Sequence, residues 1–320
     1  MRGEVLSPDH QDGAGTAVAS RHHHGMTSFT SLDFGPRRIV HRHELLSAGM
    51  TGAQITIAVR TGTLLRVRRD HYARPGTDRH TIEAVCVGGR LACASAANEL
   101  KIFAFDAQFT HLHVDRYGSR LRAPHSRFVR LADAPRDGVE LHWGPLLDPG
   151  DGTEYCVGAR DALVQIIQCQ PRNFALAALD TALHEGQINS GDVPGIFAHV
   201  PAKYRDLQSR IDARSDAGQE TVLRQLILDA GLRCDIQVKI DGVGRVDLLV
   251  EGCVVVEADS NQFHKSWNDH IRDRTRDRRL AERGYPSLRV LYQDIMFDPA
   301  GVVRAIRNLV DLCNFGSAHA

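Results

Sequence analysis

The sequence predicts a multidomain α+β chain, on three observations. Its 320 residues, 42% of them hydrophobic, supply enough apolar material for two or three separate cores. From about residue 35 onward, short strand-like runs alternate with helical ones instead of segregating. The stretch before that, rich in Gly, Ser, His and Asp, has no periodicity and cannot offset its ordering entropy by burial. The expected division is a disordered tail over 1–34, a small domain over 35–76, an α+β region over 77–205 and a carboxy-terminal domain over 206–315.

Several classes are excluded at this level. Apolar runs such as Val254-Val255-Val256 fall far short of the roughly 20 residues a spanning helix needs, and Met1 to Arg21 lacks the apolar stretch of a signal peptide. A cytoplasmic protein without membrane contact is expected. The seven cysteines (86, 93, 156, 169, 234, 253 and 313) form no C-x-x-C pair and no zinc-spaced block, so they are expected to be reduced and buried, with no zinc site. His22-His23-His24 is read as part of the loose tail. A net charge of zero hides local imbalance: Arg37 to Arg74 carries eight arginines against Glu44 and Asp70, and Lys265 to Arg283 carries seven basic residues against four acids. Both are candidate phosphate-contacting surfaces.

In the first basic stretch, His41 to Ala48 reads as a short helix stopped by Gly49. Thr51 then caps a second helix with Ile55, Ala58 and Val59 on one face, ended by Gly62. Leu64 to Arg68 and His71 to Ala73, joined by Arg69-Asp70, read as a two-stranded wing. Helix, turn, helix and basic wing outline a winged helix-turn-helix with the second helix in the groove. This segment resembles the amino-terminal domain of AbiEi-type antitoxins of abortive-infection systems, through His43-Glu44-Leu45-Leu46-Ser47-Ala48-Gly49, Thr63-Leu64-Leu65-Arg66-Val67 and Tyr72-Ala73. The resemblance implies DNA as a partner, met by Arg60, Arg66, Arg68 and Arg69, a cognate toxin protein as a second partner, and a middle region serving as an interaction platform. In that region, alternating strands are expected at Thr110 to Val114 and Val139 to Trp143, with helices at Ala92 to Leu100 and Asn173 to Glu185. His111 and His113 share a strand face, read as a polar face lacking a third ligand.

The carboxy-terminal domain carries the chemistry. A helix over Gln219 to Ala230 sets Glu220 at the edge of its apolar face, with Arg224 one turn on as an ion-pair partner. Three strands follow, over Asp235 to Ile240, Arg245 to Val250 and Cys253 to Ala258. Asp247, Glu257 and Asp259 interrupt the last two. Buried carboxylates need compensation, from arginines or from a divalent cation. A three-residue loop at Glu251-Gly252-Cys253 sets Asp247 opposite Glu257 and Arg245 opposite Asp259; a two-residue loop separates them.

A helix bearing a glutamate, then acid, nine residues, acid, one residue and a polar group, resembles the PD-(D/E)XK nucleases, and more closely their very-short-patch-repair (Vsr-like) branch. The residues that carry this are Gly244-Arg245-Val246-Asp247, Val255-Val256-Glu257-Ala258-Asp259-Ser260, Phe263-His264, the basic helix from Arg272 to Leu280, and Gly284-Tyr285-Pro286-Ser287-Leu288-Arg289-Val290. The resemblance implies a restriction-endonuclease-like α/β sandwich with a central mixed sheet, and a Mg2+- or Mn2+-dependent endodeoxyribonuclease. Asp247 would be the main metal ligand, with Glu257 or the backbone beside Ala258 as the second. His264 and Glu220 would orient or deprotonate water. Arg272, Arg276, Arg279 and Arg283 would clamp the phosphate backbone, and Trp267 or Phe263 would stack on bases. Asp259 stands where most such enzymes carry lysine, which leaves a second outcome: a decayed nuclease fold in a non-catalytic, antitoxin-like regulator.

Overall fold

The computed structural model describes residues 38–105, 108–135, 138–259 and 267–317. The expected tail with His22-His23-His24, and Arg37, Ser260, Phe263, His264 and Lys265, lie outside the described residues. Multidomain α+β organisation is what the chain adopts, with four small sheets among helices.

The first region holds β1 (Ile39–His41), α1 (Arg42–Ser47), α2 (Gly52–Arg60), β2 (Leu65–Arg68) and β3 (His71–Ala73), in an antiparallel sheet of order β1-β3-β2. Thr51 caps α2 by accepting the Gln54 N–H at 3.3 Å. Asp70 takes the left-handed conformation (φ 63) that closes the two-residue turn between β2 and β3. Val40, Leu45, Ile55, Ala58, Leu64 and Tyr72 form its core. Strand β1, which sequence reasoning missed, makes the expected two-stranded hairpin a three-stranded sheet.

The middle region comprises α3 (Arg79–Val87), β4 (Arg90–Leu91), α4 (Cys93–Glu99), β5 (Thr110–Val114), β6 (Arg122–Ala123), β7 (Ser126–Arg130), β8 (Val139–Trp143), α5 (Ala159–Cys169), α6 (Arg172–His184), α7 (Val193–Ala198) and a 3-10 segment, Ala202–Arg210. Its sheet runs β4-β5-β8, with β5 and β8 parallel. Strand β5 was expected to turn a polar face outward. Instead all five residues are buried: Leu112 and Val114 pack with Ala84, Val87 and Ala96, while His111 and His113 face polar groups of α5.

In the last region α8 (Gly218–Asp229) precedes β9 (Cys234–Ile240), β10 (Gly244–Val250) and β11 (Val254–Asp259), followed by α9 (Trp267–Glu282), β12 (Ser287–Leu291), α10 (Tyr292–Phe297) and α11 (Pro299–Ser317). The sheet is mixed, of order β12-β11-β10-β9, with β11 and β12 parallel. Val222, Leu223 and Ile227 of α8 and Ile306 and Val310 of α11 pack with Leu248, Val250, Val254 and Val256. Leu280 of α9 packs with Ile240, Val246 and Val255. Ala177 of α6 joins the α8 core, and Asp180 of α6 bonds Thr221 Oγ1 (2.8 Å) and Arg224 (2.9 Å) of α8. This contact crosses the expected boundary at 205/206.

Candidate functional site

The loop between β10 and β11 is the three-residue one, Glu251-Gly252-Cys253, with Glu251 and Gly252 both at positive φ. The ladder pairs Val250 with Val254, Leu249 with Val255 and Leu248 with Val256. It stops one pair short of Asp247 and Glu257. Beyond it the strands part, and the Asp247 carboxylate fills the gap, accepting the Ala258 N–H at 3.1 Å. Gln219 of α8 donates to the Ala258 carbonyl on the same spot at 3.4 Å.

Glu220, 7% exposed, points from α8 to this fork. The pairing expected between Glu220 and Arg224 is not formed, because Arg224 turns to Asp180 and, at 3.3 Å, to Asp212. Glu220 instead accepts the Asp216 N–H (3.0 Å) and Gln237 Nε2 (2.9 Å). Among the described residues, neither Glu220 nor Asp247 forms an ion pair. Burial, and then the Asp247 charge, push Glu220 up to about 7; burial also raises Asp247.

Glu257 is placed differently from expectation. The β11–β12 register sets it beside Arg289, whose Nε lies 3.5 Å from its carboxylate, and Arg276 of α9 reaches the other oxygen at 2.6 Å. Burial still raises its carboxyl, against the two guanidinium charges. A carboxylate so compensated is poorly placed as a metal ligand, which leaves the backbone beside Ala258 as the better of the two expected second donors. Arg245 does not face Asp259 either; it pairs with Asp216, ahead of α8. Asp259 ends β11, opposite Leu291. Of the five acid and base groups, Asp247 and Glu220 share the fork, Glu257 pairs with Arg276 and Arg289 while still within reach of the Asp247 charge, and His264 lies outside the described residues.

The expected arginine clamp is split as well. Arg276 is turned inward to Glu257 and the Arg245 carbonyl, whereas Arg272, Arg279 and Arg283 are exposed. In the first region Arg60, Arg66 and Arg69 are exposed. Arg68 is not a surface group: its guanidinium donates to the carbonyls of Cys86 (3.1 Å) and Arg120 (3.0 Å), and burial lowers its pKa.

One constellation was not anticipated from the cysteine spacing, which suggested no zinc site: a group of cysteines and histidines that could hold a metal ion. Cys93, His111, His142 and Cys169 come together with one donor atom each, all within 4.8 Å of one another. Cys169 is held far below the ordinary thiol range, first by the Cys93 thiol and then, against burial, by His111 and His142; Cys93 is pushed up. His113, the expected partner of His111, faces Gln165 instead, at 3.5 Å. Among the described residues, a second such group is His41, His71 and Glu154; neither group lies on the carboxy-terminal sheet.

Two proteins described as uncharacterized, from Mycobacterium tuberculosis strains CDC 1551 / Oshkosh and ATCC 25618 / H37Rv, are each 26% identical to this chain over 280 residues, covering 82% of it and 98% of the relative. A span of that length necessarily takes in both the middle sheet and the β10–β11 fork. No family model matches the chain. Among the described residues no helix is long and apolar enough to cross a membrane.

Proposed function

We propose that this protein binds DNA through a winged helix-turn-helix at residues 38–74 and hydrolyses phosphodiesters at the β10–β11 fork, within a Vsr-like, restriction-endonuclease-like sandwich. The single observation that carries the reading is the pair of carboxylates at the fork, Glu220 buried and Asp247 half-buried, without an ion-pair partner among the described residues. Two such groups side by side are costly unless a proton or a cation compensates them. The donor set fits Mg2+ or Mn2+, hard cations that take few protein oxygens and complete their shell with water and phosphate. Asp247 and the backbone beside Ala258 would hold the ion, which would supply Lewis acidity toward the phosphate. Gln237 fits the same picture: its Nε2 orients Glu220 while its buried Oε1 has no partner.

Within this reading Glu220, raised toward neutrality and fixed by Gln237 and the Asp216 N–H, accepts a proton from the attacking water. Arg276 and Arg289 hold Glu257 and brace β11 against α9 and β12. Exposed Arg60 and Arg66 on the first region, and Arg272, Arg279 and Arg283 on α9, meet the DNA backbone. A cytoplasmic role in phage defence or repair, alongside a cognate toxin, follows from the two family resemblances. The deciding experiment incubates supercoiled plasmid with the purified chain and Mg2+ or Mn2+, beside Asp247→Ala. Metal-dependent nicking lost in the variant is expected; equal nicking by both, or none with either metal on supercoiled, mismatched or single-stranded DNA, overturns it.

The arginine cage of Glu257 favours a second reading, a non-catalytic antitoxin-like regulator whose nuclease fold has decayed. Calorimetric titration with Mn2+ separates the two. Binding abolished by Asp247→Asn belongs to the catalytic reading, and no binding belongs to the regulator.

A further inference from the structure

The Cys93, His111, His142 and Cys169 cluster lies away from the β10–β11 fork and plays no part in the proposed hydrolysis. Its four members come from four elements: the first residue of α4, the second residue of β5, the neighbouring parallel strand β8, and the last residue of α5. Separations of 18, 31 and 27 residues follow no zinc-finger spacing. Yet the donors converge as ligands around an ion do. His111 Nδ1 and His142 Nε2 are 3.1 Å apart, and Cys169 Sγ and His111 Nδ1 3.9 Å. A tetrahedral ion with bonds of about 2.0 Å to nitrogen and about 2.3 Å to sulfur sets nitrogens about 3.3 Å apart and sulfur about 3.6 Å from nitrogen. Both distances lie within a few tenths of an ångström of these values.

The setting is also that of a built site. Cys93 and His111 are buried, 0% and 2% exposed, while Cys169 reaches the surface and gives an ion a way in. Cys93 has a left-handed backbone (φ 44) that a non-glycine residue adopts only when held there. What holds it is Gln165 of α5, whose Oε1 accepts the Cys93 N–H at 2.9 Å. Ser95 Oγ accepts the His111 N–H at 2.9 Å and ties β5 to α4. Two sulfurs and two imidazole nitrogens form a soft-to-borderline set that suits Zn2+ and not Mg2+. With four protein donors no coordination position is open, which is the mark of a structural site and not a catalytic one.

We propose that Cys93, His111, His142 and Cys169 bind one Zn2+ that clamps α4, β5, β8 and α5 together, making the middle region a metal-stabilised platform. Binding takes the thiolate forms of both cysteines, so any proton still carried by either thiol goes to solvent on metal uptake.

The test uses the full chain with His22, His23 and His24 replaced by Ala, so that the tail cannot contribute ligands. The protein is purified under reducing conditions, equilibrated with ZnSO4, desalted and assayed by plasma mass spectrometry. Roughly one zinc per chain is expected, falling below about a tenth in Cys169→Ser and in His142→Ala, while His113→Ala, on the same strand face, retains it. Cobalt loading gives a folding-independent check: tetrahedral Co2+ with thiolate ligands shows intense visible bands and thiolate-to-metal charge transfer, both expected to vanish with Cys169→Ser. Circular dichroism of Cys169→Ser, matching the parent in shape, separates ligand loss from unfolding. No zinc in the parent, zinc undiminished in both ligand variants, or a Cys93–Cys169 disulfide in the reduced preparation overturns the proposal.

Discussion

Helix α8 divides two buried acids that meet opposite fates. On its α6 side Asp180, with 0% exposure, is surrounded by donors: Arg224, Thr221 and the Asp212 N–H at 2.8 Å. On its sheet side Glu220 and Asp247 receive amide donors only. Burial raises both sides, Asp180 to about 6 and Glu220 to about 7. At Asp180, however, the Arg224 charge opposes the rise; at Glu220 the Asp247 and Asp216 charges add to it. Arg224 stands four residues from Glu220 and still chooses Asp180. Electrostatic pairing along this helix therefore serves the seam between the middle and last regions and leaves the fork without an ion pair, with Arg276 and Arg245 easing the Asp247 charge only at longer range. Under the proposed function, the paired acid holds the fold and the unpaired acids do the chemistry.

The largest expected effect breaks that contrast directly. Asp247→Asn should lower metal-dependent cleavage by about 100-fold or more, equivalent to at least about 2.7 kcal/mol of barrier, while leaving stability at pH 8 unchanged or improved, since it removes a charge without an ion pair. Asp180→Ala should do the reverse. It takes from Arg224, only 4% exposed, the nearer of its two carboxylates and leaves it Asp212 and the Arg210 carbonyl, and should cost about 1–3 kcal/mol in urea unfolding, with cleavage by the remaining folded protein retained. A stable Asp180→Ala, or an Asp247→Asn that unfolds, would erase the distinction.

Much of the fork was legible from local pattern. Apolar runs set the strands, Gly252 after Glu251 marked a turn but left its length open between two and three residues, and Glu220 fell at a helix edge, because each depends on neighbours within a few residues. What was not legible depended on partners far along the chain. Glu257 looked like Asp247 in sequence, but parallel pairing with β12 brings Arg289 beside it, and no local rule predicts that register. Arg68 looked like its surface neighbours until Cys86 and Arg120 offered it carbonyls. The Cys/His cluster was invisible for the same reason, since its four members are brought together only by the β5–β8 crossover and by the ends of α4 and α5. A signal existed in His111 and His142, one histidine on each of two short strands, but their shared face needed the sheet.

A smaller effect concerns pH, measured without divalent metal. Glu220 has a folded-state pKa near 7 against an ordinary value of 4.5. The folded state thus holds a proton that the unfolded state has released, so this group's contribution is fully present below about 4.5 and is lost as pH rises through 7. Asp180 acts in the same direction at lower pH, with its folded value about 6. The parent should therefore lose stability between pH 5 and 8, and Glu220→Gln should remove part of that slope, on the order of 1–3 kcal/mol. Unfolding curves for the two proteins at pH 5 and pH 8 decide it; parallel slopes would mean that Glu220 titrates normally.

The smallest expected effects extend the contrast between committed and uncommitted charge to the first region. Arg60 and Arg66 are exposed, and under the proposed function each neutralises a phosphate. Replacing either by Ala should reduce the slope of log affinity against log salt by about 1, with a modest loss in affinity at every sequence. Arg68, which bonds two backbone carbonyls with a half-buried guanidinium, should behave otherwise: Arg68→Ala leaves the Cys86 and Arg120 carbonyls short of a donor and costs about 1–3 kcal/mol of stability, with the salt slope of the folded protein unchanged. Fluorescence anisotropy over a salt series reads the first quantity and urea unfolding the second. Should all three variants move the salt slope equally, Arg68 leaves its carbonyls to meet DNA, and burial of a guanidinium in this fold would not mark it as structural.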